Sequence, residues 1–131
     1  MENIKLNFVI ICDNAIIAED NKSLYILGVF DTIFADRFPA RHPRFSIVVN
    51  VSGDPGEYPI IIKIKHKDTQ EKIVELPTKL YISGTGRKAQ FIGTFLNIQF
   101  KNEGEYVGEV FINDKLQDLT TNFFVKQKGN N

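Results

Sequence analysis

The chain has 131 residues, a length that fits one domain. Its composition is 43% hydrophobic with eleven Phe and no Trp, enough for a buried core without disulfides or metals. Sixteen basic residues balance sixteen acidic ones, so no net charge attracts the chain to nucleic acid or to an anionic membrane. We therefore expect neither nucleic acid nor a membrane as a partner.

Alternation of apolar and polar residues predicts strands along most of the chain. The segments that show it, or that are continuously apolar, are in chain order 4–12, 24–30, 45–51, 58–67, 91–100, 106–112 and 119–126. Turn sequences such as Gly53-Asp54-Pro55-Gly56 separate them. This spacing predicts an all-β, antiparallel, immunoglobulin-like β-sandwich of seven to nine strands, formed by residues 1–126 and followed by a polar tail, 127–131. Residues 15–20 and 30–36 could each form a short helix.

Two of these segments predict how the side chains divide between the two faces of a strand. In segment 58–67, the apolar positions alternate with Lys63, Lys65 and Lys67, so the lysines should face water and protect an exposed strand edge. In segment 91–100, a second alternating set predicts one shared face, with Phe91 and Phe95 on the other. That set is Ile92, Thr94, Leu96, Ile98 and Phe100.

The sequence Gly104-Glu105-Tyr106, followed by two strands, is typical of the way immunoglobulin-like sandwiches close. In such domains the tyrosine hydroxyl bonds to the backbone at a sheet corner. Position 108 is Gly, where antibody domains carry the second cysteine of their disulfide. Gly56-Glu57-Tyr58 repeats the motif, which indicates either a duplicated half-domain or turn chemistry that is common in β proteins.

Several motifs together resemble a known family. They are Ile11-Cys12-Asp13, the segment 24–34 with Gly28-Val29-Phe30-Asp31, Phe38-Pro39-Ala40 with His42-Pro43-Arg44, and Gly53-Asp54-Pro55-Gly56-Glu57-Tyr58. The family consists of small bacterial proteins of unknown function that are predicted to be immunoglobulin-like sandwiches, and the resemblance covers nearly the whole chain. It implies the same fold and a bacterial cytoplasmic setting. It implies no activity and no catalytic residue.

The single cysteine, Cys12, cannot form an internal disulfide and favours a reducing compartment. The first residues lack the basic cluster and the cleavage site of a signal peptide, and no apolar run is long enough for a membrane span. We therefore expect a cytoplasmic protein.

Catalytic and metal-binding patterns are weak. A thiol–imidazole pair would have to come from Cys12 with His42 or His66, but Cys12 shares the register of Leu6 and Phe8, which predicts a buried, inert thiol. Two isolated histidines and one distant cysteine do not match a zinc site. The loop carboxylates lack the dense spacing of a calcium loop. We predict no catalytic residue, no metal and no cofactor.

The segment 36–44 is the best candidate for binding. It holds three arginines and a histidine around two prolines, which restrict a loop. Arginines recognise carboxylates and are enriched at interface hot spots. The candidate partner-binding residues are Arg37, Phe38, Arg41, His42 and Arg44. The alternative is a structural connection with solvated arginines, in which Phe38 only closes the end of the sandwich.

Two functions remain open. The first is a non-enzymatic binding or assembly module that contacts a protein through residues 37–44 or through an exposed strand edge, which could also pair with itself in a homo-oligomer. The second is a small-ligand-binding or enzymatic protein with a site at one end of the sandwich. That site would place His42, an arginine and a carboxylate from Asp31 or Asp36 on a small anionic molecule.

Overall fold

The computed structural model describes residues 3–20, 22–84 and 87–129, and these residues form nine β-strands in two sheets. The strands are β1 (Ile4–Ile17), β2 (Leu24–Val29), β3 (Thr32–Ala35), β4 (Ala40–Gly53), β5 (Gly56–His66), β6 (Lys72–Ile82), β7 (Lys88–Phe100), β8 (Gly104–Ile112) and β9 (Lys115–Gln127). The predicted all-β sandwich is confirmed. The prediction that residues 15–20 and 30–36 could form short helices is wrong, because β1 continues to Ile17 and β3 occupies Thr32–Ala35.

The first sheet has the strand order β2-β1-β4-β7, and the second has the order β3-β9-β8-β5-β6. Neighbouring strands are antiparallel except for β3 and β9, which pair in parallel. The predicted tail, 127–131, extends past Gly129, the last described residue, and β9 itself reaches Gln127. The described residues include no helix that is long and apolar enough to cross a membrane.

An aromatic cluster fills the centre of the sandwich. Phe123 on β9 stacks on Tyr106 of β8 with their ring centroids 5.8 Å apart, and it meets Phe100 edge-on at 6.0 Å. Phe45 of β4 stacks on Phe95 of β7 at 5.2 Å and so joins the first sheet to this cluster. A smaller apolar cluster around Cys12 and Val48 lies on the opposite face of the first sheet, because Val48 alternates with the core residues on either side of it.

The lysines of segment 58–67 do not protect an edge. β5 lies inside its sheet, between β8 and β6, and neighbouring strands supply a glutamate to each lysine. Lys65 Nζ lies 3.0 Å from Glu109 Oε2, and Lys67 Nζ lies 3.3 Å from Glu105 Oε1. The prediction of the two faces is confirmed, because Ile60, Ile62 and Ile64 are buried, but the prediction of an edge strand is wrong.

The predicted face of β7 is confirmed only in its first half. Ile92, Thr94 and Leu96 lie opposite Phe91 and Phe95, but Ile98 and Phe100 do not share their face. Phe95 and Phe100 are both buried although they lie five residues apart, whereas Leu96 is exposed. Between them Asn97 adopts a left-handed backbone conformation with φ of 53°, which breaks the alternation of the strand. Odd-numbered residues therefore face the core before Asn97, and even-numbered residues face it afterwards.

Both tyrosine motifs form corners. The Tyr106 hydroxyl donates a hydrogen bond to the carbonyl oxygen of Asn102, and the Tyr58 hydroxyl donates one to the carbonyl oxygen of Asp54, at 2.8 Å. The preceding glycine has a positive φ in each motif, 141° at Gly104 and 153° at Gly56. The predicted tyrosine corner is confirmed, and the repeated motif has the same local geometry.

Candidate binding groove

A groove of about 400 Å³ opens at the end of the sandwich where β3 meets the beginning of β4. The apolar part of its lining includes Phe34 and Pro39, which are exposed, and Phe100, which is buried. The basic residues at the groove are Arg37, Arg41 and Lys128, beside His42 and Asp36. The groove therefore combines apolar lining residues with cations, and residues of the segment that the sequence singles out contribute to it.

The basic segment is only partly a loop. Residues 36–39 connect β3 to β4, but β4 begins at Ala40, so Arg41, His42 and Arg44 lie on a strand. Pro43 fits within this strand because the pairing of β4 with β1 ends at Ser46, opposite Cys12. A strand that lacks a neighbour on one side tolerates the missing proline N–H. The prediction of a proline-bounded loop over 37–44 is therefore corrected.

Of the five candidate residues, three line the groove: Arg37, Arg41 and His42. Phe38 is half-buried and packs against the central core, so it closes the end of the sandwich, as the structural alternative expected. Arg44 is exposed and lies outside the groove lining. For the small-ligand alternative, Asp36 lines the groove, whereas Asp31 does not.

Arg41 is held in place by uncharged groups. Its Nη1 donates to the carbonyl oxygen of Asn97 at 2.8 Å, and its Nη2 donates to Oε1 of Gln99 at 3.3 Å. Since both acceptors are neutral, the guanidinium is oriented while its positive charge stays uncompensated. Asn97 and Gln99 are positioning residues that sequence reasoning missed, because their place beside Arg41 depends on the pairing of β7 with β4.

The charges at the groove do not cancel. Lys128 Nζ pairs with Asp36 Oδ1 at 3.1 Å, which neutralises the one carboxylate in the lining. Within the described ranges, Arg37 and Arg41 have no carboxylate partner. The groove therefore keeps two uncompensated positive charges. Lys128 belongs to the predicted polar tail, and no pattern in the sequence indicated that it would line the groove.

His42 connects the groove to the core. Its ring lies 6.3 Å from the ring of Phe30 and 5.9 Å from that of Phe45, between centroids. Burial lowers the pKa of His42 below its ordinary value, and the nearby carboxylate of Asp13 offsets this only in part. At neutral pH the imidazole is therefore uncharged, and the arginines supply the positive charge.

This pKa shift predicts an acid-dependent loss of stability. The ordinary pKa of histidine is 6.5, so as the pH falls His42 takes up a proton at a higher pH in the unfolded chain than in the folded protein. The free energy of unfolding therefore begins to decrease near the ordinary pKa, and it stops decreasing once the pH is below the lowered pKa of the folded protein. Chemical denaturation between about pH 8 and about pH 5 should show a smaller loss for His42→Gln than for the unmodified chain. Equal losses in the two proteins would show that His42 does not contribute.

Cys12 is fully buried, and its Sγ lies 3.7 Å from the carbonyl oxygen of Ser46. Burial, assisted by Asp13, raises the pKa of the Cys12 thiol. His66 lies at another corner, where its Nε2 is 3.2 Å from the carbonyl oxygen of Glu103. The predicted buried thiol is confirmed. In the part of the chain that the structure describes, no three His, Cys, Asp or Glu side chains form a group that could hold a metal.

The sequence profile of a family of unknown function, DUF6941, matches residues 7–126. No curated protein matches the chain significantly.

Among solved structures, the alkylpurine DNA glycosylase AlkC of Pseudomonas fluorescens, bound to DNA with an abasic-site analogue, is similar with a TM-score of 0.57 and 13% identity. The match covers 95% of this chain but only 30% of the glycosylase. The CARDB domain of a Pyrococcus furiosus protein, in complex with di-metal ions, gives a TM-score of 0.48 and 14% identity over 98% of each chain. At such identities the likeness to the glycosylase shows a shared fold alone.

Proposed function

The chain belongs to DUF6941, a family of unknown function, and for this member we propose a non-enzymatic role as a protein-binding module. Its partner presents an acidic segment to the groove beside Arg37 and Arg41. We place the protein in the bacterial cytoplasm, which the single buried thiol of Cys12 and the family resemblance support.

The observation that carries this proposal is the pair of uncompensated guanidinium groups in a groove that is also lined by apolar residues. Arginine forks bind carboxylates through two parallel hydrogen bonds, and Arg41 is already oriented by Asn97 and Gln99. Phe34 is exposed next to them and offers an aromatic contact. Aromatic and arginine side chains together are the usual composition of interface hot spots.

Removal of both arginines should abolish recognition of acidic segments. The probe is a displayed library of random peptides, from which the unmodified protein should select sequences rich in Asp and Glu. The double variant Arg37→Ala, Arg41→Ala should bind the selected peptides at least about a hundredfold more weakly, since each charge-assisted contact contributes about 1.5–3 kcal/mol.

Arg44→Ala is the matched control, because Arg44 is an exposed arginine on the same strand and outside the groove. It should bind the peptides like the unmodified protein, and all three proteins should have the same melting temperature. Selection of peptides without acidic enrichment, or equal losses for Arg44→Ala and the double variant, would contradict the proposal.

A small anionic ligand is a second candidate, and the size of the groove favours it. A volume of about 400 Å³ lies within the roughly 300–1,000 Å³ of most small-molecule sites. A thermal-shift screen with small dicarboxylates and phosphates distinguishes the two functions. A stabilisation that disappears in the double variant, with no peptide selected, would favour the small ligand.

A further inference from the structure

Strand β2 is an unprotected sheet edge. It ends the order β2-β1-β4-β7, and its six residues, Leu24–Val29, carry no charge and no proline. The other edge strands differ: β6 contains Pro77 and Lys79 and contacts β7 across the sandwich, and β3 has only four residues. Natural proteins protect long apolar edges because the free N–H and C=O groups there accept another strand.

Two exposed apolar side chains of β2 lie on one face. Tyr25 and Leu27 alternate along the strand and are 46% and 51% exposed. They pair with Ile16 and Asn14 of β1, and Ile16 is also exposed. Val29 is 66% exposed but follows Gly28, whose φ of 71° interrupts the alternation. The edge therefore combines unpaired backbone groups with exposed apolar side chains.

We propose that β2 pairs with β2 of a second copy, antiparallel and centred on Leu27, so that the two four-stranded sheets become one continuous sheet. This inference goes beyond the proposed function and uses none of the residues that line the groove.

Self-pairing suits the centre of this strand. With a twofold axis through Leu27 and perpendicular to the sheet, Leu27 lies opposite Leu27 of the second copy. An aliphatic cross-strand pair is favourable, and a strand without charges brings no like charges together.

The flanking charges are compatible with the same arrangement. Lys22 lies two residues before β2 and Asp31 lies two residues after it, and neither forms an ion pair within the described ranges. Antiparallel pairing brings the beginning of one β2 next to the end of the other, and so places Lys22 near Asp31 of the second copy. A second copy is thus complementary to this edge in both apolar contacts and charge.

The position of Leu27 on the proposed axis allows a decisive experiment. Leu27→Lys would place two lysines opposite each other, and Leu27→Glu would place two glutamates opposite each other. Each variant alone should self-associate about tenfold or more weakly, because an apolar pair becomes a like-charge pair. An equimolar mixture of the two should regain the dimer, since lysine then faces glutamate.

Sedimentation velocity over a dilution series measures these outcomes. The unmodified chain should reach twice its mass of 14.9 kDa as the concentration rises. Leu116→Lys is the matched control, because Leu116 is 53% exposed but lies on β9 in the other sheet, and it should leave the dimer unchanged. An unmodified chain that stays monomeric, or a mixture of charge variants that does not associate, overturns the proposal.

Discussion

Replacement of Phe123 with alanine is expected to lower the free energy of unfolding by about 3–5 kcal/mol. The Phe123 ring is completely buried and contacts the rings of Tyr106, Phe100 and Phe45. These residues come from both sheets, so the truncated side chain would leave a cavity at the point where the sheets are held together. Urea denaturation followed by tyrosine fluorescence and circular dichroism measures the loss.

The adjacent residue provides a matched control for this prediction. Phe124 is 38% exposed on the other face of β9, so Phe124→Ala removes the same ring from a position that water partly reaches and that lies outside the central core. Its cost should remain below about 1 kcal/mol. Similar losses for the two variants would mean that the aromatic cluster does not hold the sheets together.

Replacement of Gly108 with alanine should cost about 1–3 kcal/mol, although glycine is usually the poorer residue in a strand. A Cβ atom at position 108 would lie 2.8 Å from Cγ2 and 3.3 Å from the carbonyl oxygen of Thr121, and 3.5 Å from Cδ1 of Ile47. Thr121 is the direct neighbour on β9, and Ile47 reaches across from the other sheet. The space that an antibody cysteine would need is therefore already occupied by these two residues.

Two further variants test this explanation. Thr121→Ser removes the closest methyl group, so it should recover part of the stability that Gly108→Ala loses, which a double-mutant cycle detects. Gly84→Ala should be nearly neutral, because nothing lies within 4 Å of its Cβ position. A cost for Gly108→Ala that Thr121→Ser leaves unchanged would show that the methyl contact is not the cause.

Local patterns in the sequence were sufficient to predict seven of the nine described strands and one corner, but β3 and β6 were not among the predicted segments. Alternation identified Ile60, Ile62 and Ile64 as core residues because each lies in a regular strand with one face toward the other sheet. The corner at Tyr106 was predictable because its glycine, tyrosine and hydrogen-bonded carbonyl lie within five residues of each other. Such features depend on the nearby chain alone.

Features that depend on distant residues were not predictable. Alternation cannot show that β5 lies inside its sheet, because the position of a strand depends on which segments pair with it. The left-handed conformation of Asn97 reverses the faces of β7, and a single asparagine in an apolar strand gives little warning of it. The groove was not predictable for the same reason, because Asn97 and Gln99 contact Arg41 only through the pairing of β7 with β4.

The complete burial of Cys12 makes the protein convenient for site-specific labelling. The one thiol of the chain is enclosed by Val48 and its neighbours, so maleimide reagents have no access to it in the folded protein. A cysteine introduced at an exposed position such as Arg44 would then react alone. Fluorophores or spin labels attached there would report distances between molecules without any need to remove the native residue.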